Sequence, residues 1–346
     1  MVHLIVQVST IDFPSSVGFA ALHTFKAKTD AAIVTLLKKA KAVQFGKTNV
    51  PEFAFAWAGL NYADGIAINP WGYDVMTAGS SAGSGSAVAA YVATIAITED
   101  TAGSTNSPAT QNHVFGYDPP KFHYPNQGNP SITIRNDQLG VNARSIDDII
   151  VFDKALLGTD VAHAKAAAYV AGLSNSDIKI GCSDIYYDYS AMSPAILAKY
   201  NQAKTVLQAA GFTFVGTCAP ASRDPTLVVP SPYSNSIQTD ELQYHLSKNL
   251  QVNMSVFEVM LNGVNTFSSS TNSPGPYFIP PKASGCEGTG YNVNQTVLNE
   301  YLNRIPTQRS DVYNEYYNEY GVDLVMGPTH YCDFIKWTVR WLNHEL

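Results

Sequence analysis

The chain has 346 residues, 45% of them apolar and 14% charged, and its formal net charge is −7. This composition is that of a globular protein, and the length allows one large hydrophobic core or two smaller ones. The negative charge and the lack of a dense lysine and arginine cluster exclude nucleic acid as the expected partner. No apolar run approaches the roughly 18 residues of a membrane span.

Strand and helix patterns alternate along the sequence, which is typical of an α/β protein. The predicted strands cover residues 4–8, 43–45, 94–98, 179–180, 212–215 and 322–326. The predicted helices cover residues 31–42, 84–93, 145–157, 193–211, 241–261 and 311–320. In the first of these helices, one face carries Ile33, Leu36, Leu37 and Ala40. The strand at 43–45 is expected to lead into a turn at Gly46.

The N-terminus and the cysteines indicate the cellular location that we expect and the metal chemistry that we do not expect. Residues 1–6 have no basic segment and only a short apolar stretch, so we expect no signal peptide and favour a cytoplasmic location. The four cysteines are widely spaced and form no CxxC pair, which predicts no metal site and leaves their disulfide status open. They are Cys182, Cys218, Cys286 and Cys332.

Two turns rich in glycine and serine are the segments of the sequence that indicate a catalytic site. Residues 78–84 read Ala-Gly-Ser-Ser-Ala-Gly-Ser, and residues 100–104 read Asp-Thr-Ala-Gly-Ser. Turns of this kind bring hydroxyls and unobstructed backbone N–H groups together, and acyl transfer needs a nucleophile, a proton relay and an oxyanion hole. Upstream, residues 46–53 read Gly-Lys-Thr-Asn-Val-Pro-Glu-Phe.

Together these three segments resemble the amidase signature family, in particular its fungal-type members, where they read roughly GKTNMPEF, GGSSGGS and TDTGGS. Residues 137–145 resemble the family's D-x-x-G-x-x-A-R-S segment, and residues 320–329 resemble its late strand. The resemblance extends from about residue 4 to residue 330 and is strongest over 43–108. It implies one amidase domain over 1–346, with a mixed, largely parallel β-sheet covered by helices on both faces.

The resemblance also implies site residues. Ser104 falls on the nucleophile, and Ser80 falls on the bridging serine that follows a cis peptide bond from Gly79. The oxyanion hole falls on the backbone N–H groups of Thr101, Ala102, Gly103 and Ser104. The family needs no metal or organic cofactor, and the implied partner is a small-molecule amide substrate.

The family's catalytic lysine has no counterpart in the matching segment. Residues 9–12 match the end of the family's K-D-x-I-D-like segment, so the lysine position falls on Val8, or on Gln7 if the register slips by one. Neither side chain accepts a proton as an amine does. Lys47 belongs to the Gly46 turn, where we expect a structural role or a charge pair with Glu52.

Three functions are consistent with this pattern. The first is an amidase-type serine hydrolase that cleaves a carboxamide C–N bond and is impaired by valine at position 8. The second is a catalytically inactive amidase-like binding or structural protein, or a partial gene product, since the chain is shorter than family members at both ends. Asn106, where relatives carry arginine, and Ala82, where they carry glycine, fit the second.

The third function is an α/β-hydrolase, because residues 79–83 also fit the GxSxG elbow with Ser81 as nucleophile. Asp323 and His330 would follow in the matching chain order. This alternative is disfavoured, since residues 71–77 do not have the pattern of the strand that such an elbow follows.

Overall fold

The computed structural model describes residues 2–5, 8–54, 59–61, 63–101, 103–130, 137–158, 161–182, 192–215 and 321–329. These residues fall into two compact units. The first contains the described residues up to Gly158, and the second contains the described parts of 161–215 and 321–329. Predicted helices at 241–261 and 311–320 lie outside the described residues, as do Cys218, Cys286 and Cys332.

The first unit alternates strands and helices, as predicted. Its elements are β1 (Val2–Ile5), α1 (Ala32–Lys39), β2 (Gln44–Thr48), β3 (Leu60–Asn61), β4 (Gly65–Ile66), α2 (Ala82–Ala89), β5 (Ile95–Asp100), α3 (Asn106–Gln111), β6 (Phe115–Tyr117), β7 (Gln138–Ala143) and α4 (Ile146–Leu157). Short 3-10 turns lie at Ala20–Leu22 and Glu52–Ala54.

Five of these strands form a mixed sheet in the order β2-β1-β5-β7-β6. Strand β1 runs parallel to both β2 and β5, whereas β7 is antiparallel to β5 and β6. All six residues of β5 are buried. Because successive side chains of a strand point to opposite faces, both faces of the sheet are covered at this central strand.

The main hydrophobic core lies between the sheet and helices α1 and α4. It is formed by buried side chains of β5 and β7 on one side, such as Ile97 and Val141, and of the helices on the other, such as Ile33 and Phe152. Helix α1 buries Ile33, Val34 and Leu37, so two of the four residues of the predicted face are buried, while Leu36 and Ala40 are only partly buried. It ends two residues before Lys41, which has a positive φ of 57°.

Strand β2 corrects one expectation. Residues 46–48 were predicted to form a turn, yet they continue β2 to Thr48. The reason is parallel pairing with β1, in which Leu4 lies opposite Lys47 and Ile5 lies opposite Thr48. Strand β1 ends at Ile5, so Val8 lies beyond it rather than within the predicted strand.

The second unit is a small α/β layer with its own packing. It contains α5 (Val161–Ala171), β8 (Lys179–Cys182), α6 (Pro194–Ala209), β9 (Thr213–Val215) and β10 (Leu324–Met326). The three strands are all parallel, in the order β10-β8-β9. Helix α6 begins as predicted, with the Ser193 hydroxyl accepting a hydrogen bond from the Ile196 N–H.

None of the helices in the described part of the chain is both long and apolar enough to cross a lipid bilayer.

Candidate active site

The two serine-rich turns lie against each other at the end of β5. The Ser81 N–H donates to the Ser104 carbonyl over 3.3 Å. The Ser81 hydroxyl donates to the carbonyl of Glu99 over 3.2 Å and accepts from the Glu99 N–H over 3.1 Å. These bonds connect the turn before α2 to the last residues of β5 and to the turn that follows it.

Ser80 is buried between these segments. The peptide bond between Gly79 and Ser80 is cis, as predicted. The side chain of Ser80 is 1% exposed, and its Oγ has no hydrogen-bond partner among the residues that the structure describes. A buried hydroxyl without a partner is uncommon, which sets Ser80 apart from Ser81.

The turn that carries Ser104 is held by the carboxylate of Asp100. One oxygen of Asp100 accepts from the Gly103 N–H and the other accepts from the Thr105 N–H, each over 2.6 Å. Gly103 has a φ of 112°, a conformation that favours glycine. Asp100 therefore accepts hydrogen bonds from the backbone on both sides of Ser104. This contact was not predicted from the sequence.

The accessibility of the serines differs. Ser104 is half-buried, whereas Ser80 and Ser81 are fully buried. The N–H groups of Ser104 and Thr101 have no acceptor among the described residues, while that of Gly103 is engaged by Asp100. Ala102, the fourth predicted oxyanion residue, lies outside the described residues.

Val8 is a core residue. Its side chain has no exposed surface and packs in the main hydrophobic cluster with Ile33 and Val50. Its carbonyl accepts a hydrogen bond from the Lys47 Nζ and a 3.4 Å bond from the Ser15 hydroxyl. Position 8 thus presents a backbone oxygen to an amine that comes from the neighbouring strand.

Of the two roles expected for Lys47, its contacts fit the structural one and not the charge pair with Glu52. Its Nζ donates to the carbonyl of Val8 and to the Ser15 hydroxyl at 3.4 Å, rather than to Glu52. Although part of the residue is accessible, the amine is inside the protein, and this burial lowers its pKa well below the usual range. The pairing of β2 with β1 would have revealed this proximity, but it is not visible in the sequence.

A second carboxyl lies near Asp100. Asp118 follows β6, and the Gln138 side chain donates to it over 2.5 Å. Burial, followed by the charge of Asp100, raises the pKa of Asp118 to about 6, while the Gln138 bond opposes this shift. Sequence reasoning missed Asp118 because it lies in an irregular stretch with no motif.

The two residues that would complete an α/β-hydrolase site with Ser81 are Asp323 and His330. Asp323 accepts a 2.8 Å bond from the Lys179 N–H within the second unit. His330 lies outside the described residues. Within the described ranges, no group of three or more His, Cys, Asp or Glu residues is placed to hold a metal ion.

The chain matches the family model described as Amidase over residues 6–333. Mandelamide hydrolase of Pseudomonas putida is 34% identical over 166 residues, which are 46% of this chain and 33% of that protein. A glutamyl-tRNA(Gln) amidotransferase subunit of Coxiella burnetii is 32% identical over 213 residues, which are 60% of this chain and 44% of that protein. The matches therefore span less than half the length of these curated relatives.

Solved structures show the fold. An amidase family protein from Bacillus anthracis superimposes with a TM-score of 0.77 at 22% identity, over 98% of this chain and 68% of that chain. The native peptide amidase from Stenotrophomonas maltophilia gives a TM-score of 0.66 at 22% identity, over 95% and 70% of the two chains. The predicted α/β amidase signature fold is confirmed.

Proposed function

This chain belongs to the amidase family, and from that premise we propose that it is a serine hydrolase that cleaves the C–N bond of a small-molecule carboxamide. The observation that carries the proposal is the contact between the two turns, in which the Ser81 N–H binds the Ser104 carbonyl. The Ser80 hydroxyl next to this contact is buried and has no hydrogen-bond partner among the described residues, and Ser104 is half-buried, which supports a role for both serines in one site.

In the proposed reaction, Ser104 Oγ forms a bond to the amide carbon, and the carbonyl π electrons move to the oxygen. The proton of Ser104 passes to Ser80, which must lose its own proton to a base. The N–H groups of Ser104 and Thr101 stabilise the oxyanion. Collapse of this intermediate breaks the C–N bond while the proton held by the base passes to the leaving nitrogen, so that the amine departs neutral. Water then hydrolyses the acyl-serine ester and restores Ser104.

The base is the weak step of this relay. Val8 supplies no side-chain proton acceptor at the position implied by the family resemblance, and general-base catalysis typically contributes about 10²–10⁴-fold to the rate. We therefore expect slow amide hydrolysis, together with some cleavage of activated esters, which depend less on a base. The depressed pKa of Lys47 makes its amine the first substitute to test.

A fluorophosphonate probe tests the proposal, because it reacts with an activated serine hydroxyl whatever the substrate. We expect peptide mapping to place the label on Ser104 and the Ser104→Ala variant to lose it. Ser176→Ala, which changes an exposed serine of the second unit, is the control and should retain labelling. Labelling of Ser81 would instead support the hydrolase elbow, although both bonds of the Ser81 hydroxyl to Glu99 oppose that alternative.

The second candidate function is an inactive amidase-like binding or structural protein. The packing of Val8 in the hydrophobic core favours it, because an apolar residue stands where the base is expected. The Coxiella burnetii relative is named as one component of an amidotransferase, so such a protein would act through a protein partner. Absence of probe labelling in a protein that still binds amide ligands would support this function over the first.

A further inference from the structure

Asp118 lies two strands away from the Ser104 turn, at the same end of the sheet. Tyr117, the last residue of β6, is paired with Val141 of β7, and Gln138 at the start of β7 is paired with Asp100 at the end of β5. The side chain of Gln138 donates to Asp118. Gln138 therefore lies between the two carboxyl groups, as a cross-strand neighbour of one and a hydrogen-bond donor to the other.

Asp100 connects this carboxyl to the candidate nucleophile. Both of its oxygens are used by the N–H groups that flank Ser104, at Gly103 and Thr105. A change in the electrostatic potential at Asp100 therefore acts on the backbone that positions Ser104. The same potential acts directly on the oxyanion, which would form against the neighbouring N–H groups.

The groups that face Asp118 leave its charge uncompensated. Asp100 faces it from β5 and Gln138 faces it from β7. Tyr117 precedes it on β6, where burial, and then nearby carboxylates that include Asp118, raise the pKa of the tyrosine. Across the residues that the structure describes, Asp118 forms no ion pair with a lysine, arginine or histidine.

We propose that Asp118 is a positioning residue that acts through Asp100 and makes Ser104 more reactive when the Asp118 carboxyl is neutral than when it is ionised. The inference rests on the proposed function of Ser104. An ionised Asp118 repels the Asp100 carboxylate and opposes negative charge on the oxyanion, whereas a protonated Asp118 does neither. Because the pKa of Asp118 is about 6, the change falls within a mildly acidic range.

The test compares wild-type protein with Asp118→Asn, which keeps the shape and removes the charge. The rate constant for fluorophosphonate labelling of Ser104 is measured from about pH 4.5 to about pH 8, on either side of the Asp118 pKa. We expect the ratio of variant to wild-type rate to be near one at the acidic end and to rise to about fivefold at the alkaline end, the scale of one partly screened charge. The ratio cancels the titration of any base that both proteins share.

Asp147→Asn removes an exposed carboxylate from α4 and is the matched control, for which the ratio should stay flat. A carboxyl-carbon NMR titration of aspartate-labelled protein supplies a readout independent of activity. It should show a resonance with a midpoint at about pH 6 that is absent from Asp118→Asn.

Two outcomes overturn the inference while leaving the proposed function intact. One is a ratio that does not change with pH, and the other is slower labelling of Asp118→Asn at every pH, which indicates a purely structural residue. If Ser104 is labelled in neither protein at any pH, the proposed function itself fails, and this inference fails with it.

Discussion

The amine of Lys47 donates a hydrogen bond to the main-chain carbonyl of Val8. Val8 occupies the position at which the family resemblance implies a lysine, and here that position accepts a hydrogen bond from a lysine of the neighbouring strand β2. The amine loses hydration on burial, and this lowers its pKa well below the usual range. The buried amine beside position 8 thus comes from β2 rather than from position 8 itself.

Replacing Lys47 by methionine should change how stability depends on pH. The folded-state pKa of Lys47 lies below the unfolded value of about 10.4. Between these two pKa values the unfolded chain binds more protons, so the free energy of unfolding should rise with pH, by at most about 1.4 kcal/mol per pH unit. The free energy of unfolding stops rising once the pH exceeds the pKa of Lys47 in the unfolded chain. Urea unfolding at several pH values between about 7 and 10 should show this slope in wild type and not in Lys47→Met.

The control for Lys47 is Lys39→Met, which removes an exposed lysine from the last turn of α1. It should leave the slope over the same pH range in place. An equal slope in Lys47→Met and wild type would contradict the lowered pKa of the buried Lys47 amine.

Val8→Lys should restore a base and cost stability. The added amine would contribute about 10²-fold or more to amide hydrolysis if position 8 is the family's lysine position. Because Val8 has no exposed surface, a lysine there should destabilise the fold by about 3 kcal/mol unless its amine is paired. Amide hydrolysis and the unfolding midpoint are measured together.

Two variants make the Val8 result specific. Val8→Met adds length without an amine, and it should give no gain in hydrolysis. Gln7→Lys tests a register slip of one residue. If wild type already hydrolyses simple amides at ordinary enzyme rates, and Ser104→Ala abolishes this, then the assignment of position 8 is wrong.

Asp100→Asn should loosen the Ser104 turn. The asparagine amide retains one acceptor oxygen, so one of the N–H groups at Gly103 and Thr105 would face an NH₂ group instead. Loss of a buried charged hydrogen bond costs about 2 kcal/mol, and a displaced nucleophile should reduce labelling of Ser104 by about 10²-fold. Thermal unfolding and probe labelling report the two effects. Unchanged labelling would show that the turn holds its shape without the Asp100 carboxylate.

Gly83→Ala should destabilise the fold, because the added methyl group on α2 would clash with the backbone that follows β2. A Cβ at Gly83 would lie 2.3 Å from the Asn49 nitrogen and 2.9 Å from its oxygen, and backbone atoms cannot yield as a flexible side chain does. We expect a loss of about 2 kcal/mol in unfolding free energy. Gly46→Ala is the matched control, since nothing lies within 4 Å of its added Cβ. Equal melting temperatures for the two variants would contradict the close approach.

Much of the local structure is determined by the sequence itself. Helix α6 starts where Ser193 and Pro194 predict, because capping and proline geometry act over a few neighbouring residues. The inward face of α1 follows from the spacing of Ile33 and Leu37. The cis bond before Ser80, which the family resemblance implies, is also present. Capping and helical spacing depend on short stretches of chain, which is why residue order alone predicts them.

The tertiary structure alone decided the features that depend on pairing between distant segments. Residues 46–48 have the composition of a turn, but parallel hydrogen bonds to β1 make them a strand and direct Lys47 to Val8. The carboxyl groups of Asp118 and Asp100 influence each other only because β6 and β5 both pair with β7. Strand order and burial set these distances and the resulting pKa shifts, and neither is encoded in a local pattern.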